Sequence, residues 1–160
     1  MKNRLTKTIC GLSLLTLMIS SNVSAQNADK ELILSQIETL FDGMRAGDSA
    51  AVSKVFTRNA TMQSIFKNRE GETVISSGSL QNFKNAVGTP HEQVWDERVA
   101  NIQINVDGEM AVAWVPYSFY LGKDFSHCGV NSFQFAKTAE GWKAISIVDT
   151  RRRTNCAEDL

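Results

Sequence analysis

A handful of side chains in this 160-residue sequence could do chemistry on a bound molecule, and His127, Asn131 and Asp149 stand out because one predicted hairpin brings them together. A three-residue loop Ala139-Glu140-Gly141, with Gly141 in the left-handed conformation, pairs Thr138 with Trp142. Strand alternation then sets Phe135 opposite Ile145, Phe133 opposite Ile147, Asn131 opposite Asp149 and Gly129 opposite Arg151. In that register Phe133, Phe135, Ile145 and Ile147 form an apolar floor, with His127, Asn131 and Asp149 at its polar end, whereas a one-residue slip scatters the floor over both faces. An apolar floor with a few convergent polar groups suits a small molecule. There His127 or Asp149 could move a proton while a tyrosine or asparagine stabilises a developing oxyanion. The plainer alternatives are that His127 is a rim residue bonded to backbone, and that Asp149 pairs with an arginine such as Arg98, Arg151 or Arg153.

The strand before this hairpin is ambiguous. If Gly122-Lys123-Asp124 is a three-residue loop, Tyr117 and Phe119 join His127. If Gly122-Lys123 is a two-residue turn, Trp114, Ser118 and Tyr120 do, and a bulge exchanges the two sets. Tyr117 and Trp114 are therefore both candidate ligand contacts. Other chemistry is missing from the sequence. Two histidines 36 positions apart without an acidic cluster give no metal site. There is no Ser-His-Asp spacing, phosphate-binding glycine loop or HExxH, and no cofactor signature. His91 and Glu92 follow Pro90 in a surface loop, and Arg151-Arg152-Arg153 reads as a solvated strand end.

The elements that must position these residues run from helices to strands. Asn27 or Asp29 can cap a helix whose stripe Ile33, Ile37, Leu40, Phe41 and Met44 follows the 3.6-residue period, and Gly47 stops it. Asp48 can cap a second helix and Ser79 a third, ended by Thr89-Pro90. Residues 60–66 and 73–77 read as short strands. From Val94 the pattern becomes long β segments, with Asp107-Gly108 marking a two-residue type I′ turn. The expected architecture is α+β: three N-terminal helices against a four-stranded antiparallel meander. The strand at residues 111–120 is apolar on both faces, so its second face also needs cover, and a second subunit can supply it.

Composition narrows the partners. With 17 basic and 17 acidic residues, nothing favours nucleic acid or an anionic membrane. Lys2, Arg4 and Lys7 precede an apolar run over residues 9–19 and the small-residue site Val23-Ser24-Ala25, so residues 1–25 read as a secretory signal, too short in its apolar part to span a bilayer. Cys10 lacks the small preceding residues of a lipid-modified site. Cleavage removes three of the 17 basic residues and none of the 17 acidic ones, leaving a single domain over residues 26–160 with net charge −3. The expected location is periplasmic or secreted. Two cysteines remain, Cys128 and Cys156, and in an oxidising compartment they should form a disulfide once the tail curls back to β-strand distance.

Glu38-Thr39-Leu40-Phe41-Asp42-Gly43-Met44-Arg45-Ala46-Gly47-Asp48, Phe56 before Asn59-Ala60-Thr61, Val106-Asp107-Gly108-Glu109-Met110-Ala111-Val112 and Gly141-Trp142-Lys143-Ala144-Ile145 are spaced through nearly the whole mature chain. Their order resembles the nuclear transport factor 2-like superfamily in its SnoaL-like and lumazine-binding-like branches. The resemblance implies a cone-shaped fold, a curved sheet wrapped by helices around a deep pocket, and a homodimer through the sheet. It leaves chemistry open, because that cone hosts isomerases, dehydratases, cyclases and binding proteins. Three function classes follow. One is an exported protein binding a small, partly apolar ligand. Another is an acid/base enzyme (dehydratase, isomerase or cyclase) acting on a small hydrophobic carbonyl compound. The last is an accessory domain that only dimerises or binds another protein, if side chains fill the cone.

Overall fold

A computed structural model describes the backbone of residues 12–156, with side chains from Ala25 onward. The charged start of the expected secretory signal lies outside the described residues. The elements are α1 (Leu12–Ala46), α2 (Ser49–Val55), β1 (Phe56–Lys67), β2 (Thr73–Gly78), α3 (Leu80–Gly88), β3 (Trp95–Val99), β4 (Gln103–Asp107), β5 (Met110–Leu121), β6 (Asp124–Thr138) and β7 (Gly141–Arg151). Three helices lie against one curved, unclosed sheet of seven strands, ordered β2-β1-β7-β6-β5-β3 with β4 also on β5, in an α+β cone. The meander β5-β6-β7 is antiparallel, but β1 joins β7 in parallel, so the sheet is mixed.

The α1 stripe behaves as its period requires. Ile33, Ile37, Leu40, Phe41 and Met44 are all buried, packed against Val115, Phe133, Phe135 and Ile147 from the sheet. Each fully buried aliphatic side chain contributes roughly 1.5–3 kcal/mol, so tertiary packing rather than helix propensity holds α1 in place. Asn27 and Asp29 do not cap it, because the helix is already under way at Leu12. Asp29 instead accepts hydrogen bonds from Lys137 Nζ (2.8 Å) and Trp142 Nε1 (2.9 Å), fastening α1 to the last hairpin. Gly47, at φ +68°, ends α1 as expected. Asp48 does cap α2, accepting from the amides of Ala50 and Ala51, and Ser79 caps α3.

Two turns differ from expectation and one resolves alternatives that the sequence left open, each for a local reason. Asp107 pairs with Met110, so the β4–β5 turn is Gly108-Glu109; only Gly108 has positive φ, the II′ rather than the I′ pattern. The β5–β6 turn is the two-residue Gly122-Lys123, yet Ser126 bulges and restores Phe119 opposite His127, so Tyr117 and Phe119 share the inner face with His127. In the last hairpin Thr138 pairs with Gly141, not Trp142, and an extra residue at Ile145 brings Phe133 back opposite Ile147 and Asn131 opposite Asp149. The bulge has a packing cause. Trp142 and Ile147 are an odd number of positions apart, and strict alternation cannot bury both. Ile145 therefore leaves the floor, 37% exposed, and Ala144 takes the place opposite Phe135.

Cys128 and Cys156 are bonded, with Cα atoms 5.7 Å apart. Arg152 pairs with Cys128 at the end of β7, and Asn155, at φ +54°, turns the tail back toward β6.

Candidate functional site

Between α1, α3, the β1–β2 edge and β7 lies a cavity of about 550 Å³. Leu40, Phe41 and Met44 reach it from α1, Phe83 from α3, Met62 from β1 and Ile147 from β7. These are the same side chains that stitch the helices to the sheet, so the core and the cavity wall are continuous. The charged groups of the lining are Glu97 on β3 and Asp149 and Arg151 on β7, with Ser64 of β1 beside them; the neutral polar side chains Gln63, Ser77, Ser79 and Asn82 line it as well.

Strand pairing sets this charged cluster. Ser64 lies opposite Asp149 across the parallel β1–β7 pair, and its hydroxyl donates a short hydrogen bond to Asp149 Oδ1. Arg151, two residues along the same face, donates from Nε to Asp149 Oδ2 at 2.7 Å. Of the three arginines the sequence offered Asp149, Arg151 is thus the partner. Arg98 instead donates to Asp96 and lies over the Tyr120 ring, 4.1 Å from its centroid. Tyr117 sends its hydroxyl to the Thr150 carbonyl at 2.9 Å, with Asp149 Oδ2 at 3.3 Å. Gly129 opposite it makes this possible, because a Cβ there would collide with the Thr150 carbonyl and the Tyr117 ring. Burial first, and then the Asp149 and Glu97 charges, push the Tyr117 phenol up, so it stays a neutral donor.

Glu97 is the group that reading the hairpins missed. Its side chain is 9% exposed and accepts from Asn131 Nδ2 at 2.7 Å through Oε1. Burial pushes its pKa up to about 7; the Asn131 hydrogen bond opposes that rise and the Asp149 charge adds to it. Trp95-Asp96-Glu97-Arg98-Val99 carried a usable signal, since alternation puts Glu97 between Trp95 and Val99 on what should be an apolar face.

Asn131 and Asp149 are cross-strand partners, as the hairpin predicted, but only Asp149 reaches the cavity wall; Asn131 is buried beneath Glu97. His127 sits farther along the inner face in an aromatic row, 5.7 Å from the Tyr117 ring and 5.1 Å from that of Phe119, with Ser126 Oγ 3.0 Å from its Nδ1. Burial, with the Arg151 charge behind it, lowers the His127 pKa. Phe133 is wholly buried in the core beneath the cavity, while Ile147 lines it. Trp114 is on the other side of the sheet and half exposed, because Phe119 rather than Tyr120 is opposite His127 and strand alternation carries that face to Tyr117. No cluster of His, Cys, Asp or Glu able to hold a metal occurs among the described residues.

What the arrangement offers is one carboxyl near its titration point, one carboxylate neutralised by an arginine, and a neutral phenol and hydroxyl beside them. Residues 28–148 match a protein family described as "Putative lumazine-binding". No curated protein sequence is similar enough to count as a match. Among solved structures, an NTF2-like protein with a cystatin-like fold from Novosphingobium aromaticivorans is 14% identical, with a TM-score of 0.66 over 92% of this chain and 94% of that one. A protein of unknown function from Mycobacterium tuberculosis is 12% identical, with a TM-score of 0.68 over 83% and 77%. One from Streptomyces avermitilis, described as a putative dehydratase of the NTF2-like family, is 15% identical, with a TM-score of 0.61 over 79% and 97%. At these identities the likeness is one of fold.

Proposed function

The chain belongs to this lumazine-binding-like family of the nuclear transport factor 2-like superfamily, and from that premise we propose that it is an exported protein that binds a small, partly apolar molecule in the cavity. The cavity itself carries the reading: about 550 Å³, apolar over most of its wall and carrying one cluster of charged groups, it has the size and lining of a small-molecule site. The Cys128–Cys156 bridge supports export, since such bonds persist in oxidising compartments. The charged start, apolar run and Val23-Ser24-Ala25 support cleavage after Ala25. Among the described residues no helix is long and apolar enough to cross a membrane.

Native mass spectrometry of the chain purified from the periplasm, with N-terminal sequencing, tests the reading. A stoichiometric small molecule on a chain beginning at Gln26 is expected. A chain beginning at Met1, or one that never carries or takes up a small molecule, overturns it.

Glu97 favours a second reading, proton transfer on the bound molecule. A carboxyl buried beside a cavity with its pKa near 7 is matched to donate and accept protons at neutral pH. Turnover of a carbonyl compound that Glu97→Gln abolishes without loss of binding would favour catalysis over binding alone. The family resemblance and the apolar outer face of β5 also support a homodimer formed through the sheet.

A further inference from the structure

The charges lining the cavity are unequal. Glu97 faces it from β3, and Asp149 and Arg151 from β7, while Tyr117 of β5 is a neutral phenol and His127 of β6 lies behind it, kept neutral by burial. Among the described residues, no ionisable side chain of α1, α3, β1 or β2 lines this cavity. Arg151 is committed to Asp149 through Nε and a terminal nitrogen, at 2.7 and 3.4 Å. Glu97 has only the Asn131 amide, on Oε1; its Oε2 has no hydrogen-bond partner among the described residues and is not itself fully buried, which leaves it accessible in a side chain that is nine-tenths buried and lines the cavity. A ligand that fills the cavity takes the remaining water from this oxygen, which is costly unless the ligand brings a donor in its place.

An anion there would meet two carboxylates and an arginine already spent on one of them. A neutral molecule could bond Oε2 but would leave the Glu97 charge uncompensated. A cation supplies both donor and charge. We propose that the cavity takes a protonated amine on an apolar body, its ammonium on Glu97 Oε2 and its body against Leu40, Met62, Phe83 and Ile147. The proposal rests on the cavity being a ligand site and adds the class of molecule that fills it.

Three matched probes separate the two claims: phenylbutylamine, phenylbutanol and phenylbutyrate, titrated by calorimetry and followed at the Ile147 and Met62 methyl resonances. The amine should bind at least about tenfold more tightly than the alcohol near pH 8, with the carboxylate weakest. Its affinity should rise roughly tenfold from pH 6 to pH 8, because the competent, ionised fraction of Glu97 grows from about one-tenth to about nine-tenths around its pKa of about 7. Glu97→Gln should flatten this profile and remove the preference of amine over alcohol. Alcohol or carboxylate binding as tightly as the amine, or a preference surviving in Glu97→Gln, overturns the proposal while leaving the cavity as a binding site. If none of the three shifts either methyl resonance, the binding reading itself fails. Should Glu97→Gln not fold, the unaltered chain decides, since a flat pH profile for the amine overturns the proposal.

Discussion

Glu97 makes stability depend on pH in a direction opposite to that of an ordinary paired carboxylate. Its folded pKa, about 7, lies above its unfolded value of 4.5, so the folded chain holds a proton that the unfolded chain has lost across this interval. Stability is therefore highest below about pH 4.5 as far as this group is concerned, falls as pH rises, and is lower by about 3 kcal/mol once pH passes 7. His127 acts the other way and lower down, because its depressed pKa costs stability as pH falls below about 6.5. Comparing the unaltered chain with Glu97→Gln removes the His127 contribution, which both share. The melting-temperature difference between the two chains should swing in favour of the glutamine variant as pH rises from 5 to 8, and parallel melting curves across that range would show that Glu97 is not held neutral.

At the level of elements, α2 rests on a single side chain for its start. Asp48 accepts from the amides of both Ala50 and Ala51 at 2.9 Å, and α2 buries Val52 and Val55 beside the helix that walls the cavity. Asp48→Ala should cost about 1 kcal/mol by denaturant titration while Asp48→Asn retains most of it; an unchanged midpoint in the alanine variant would mean that packing alone holds α2. Such caps were legible in the sequence because their partners lie within three residues, and so was the α1 stripe. The register of the last hairpin was legible at Asn131 and Asp149 but not at Ile145. A bulge is decided by which distant side chains must be buried together, here Trp142 and Ile147, and the turn residues carry no record of that. Ser126 is the same case: the Gly122-Lys123 turn alone would have aimed Trp114 at the cavity. The parallel β1–β7 pair, which sets Ser64 against Asp149, joins segments more than 80 residues apart, beyond the reach of any local pattern. Glu97 escaped for a different reason, because an acid between Asp96 and Arg98 in a charged pentapeptide reads as surface until its strand is known to be covered.

For the whole molecule, two features bear on how the cone is closed. The Cys128–Cys156 bridge closes a loop of sequence separation 28 around the β6–β7 hairpin, worth about 3 to 4 kcal/mol in the chain-entropy account. It anchors the tail just past Arg151, so the residue that neutralises Asp149 is tethered on both sides. Reduction should lower the melting temperature, and an identical melt with and without reductant would count against that contribution.

The other feature is the outer face of β5, where Met110, Val112 and Trp114 are 53%, 39% and 50% exposed in succession along one strand. Their neighbours Ser132 and Gln134 across β6 and Gln103 and Asn105 across β4 are uncharged, with Asp107 beside Met110 the one charge in these pairs, and a tryptophan left half in water is a large unsatisfied apolar area. A second copy pairing this face with its own equivalent would cover it by two-fold symmetry, each Trp114 lying near the axis or opposite its partner's strand. Sedimentation velocity at micromolar concentration should then give a dimer, and Trp114→Glu a monomer, because the substitution sets like charges against each other at the patch while leaving the buried inner face untouched. The variant's melting temperature should fall only as far as dimer dissociation requires and become independent of protein concentration. A monomeric unaltered chain, or a Trp114→Glu variant that still sediments as a dimer, would remove this face as the interface.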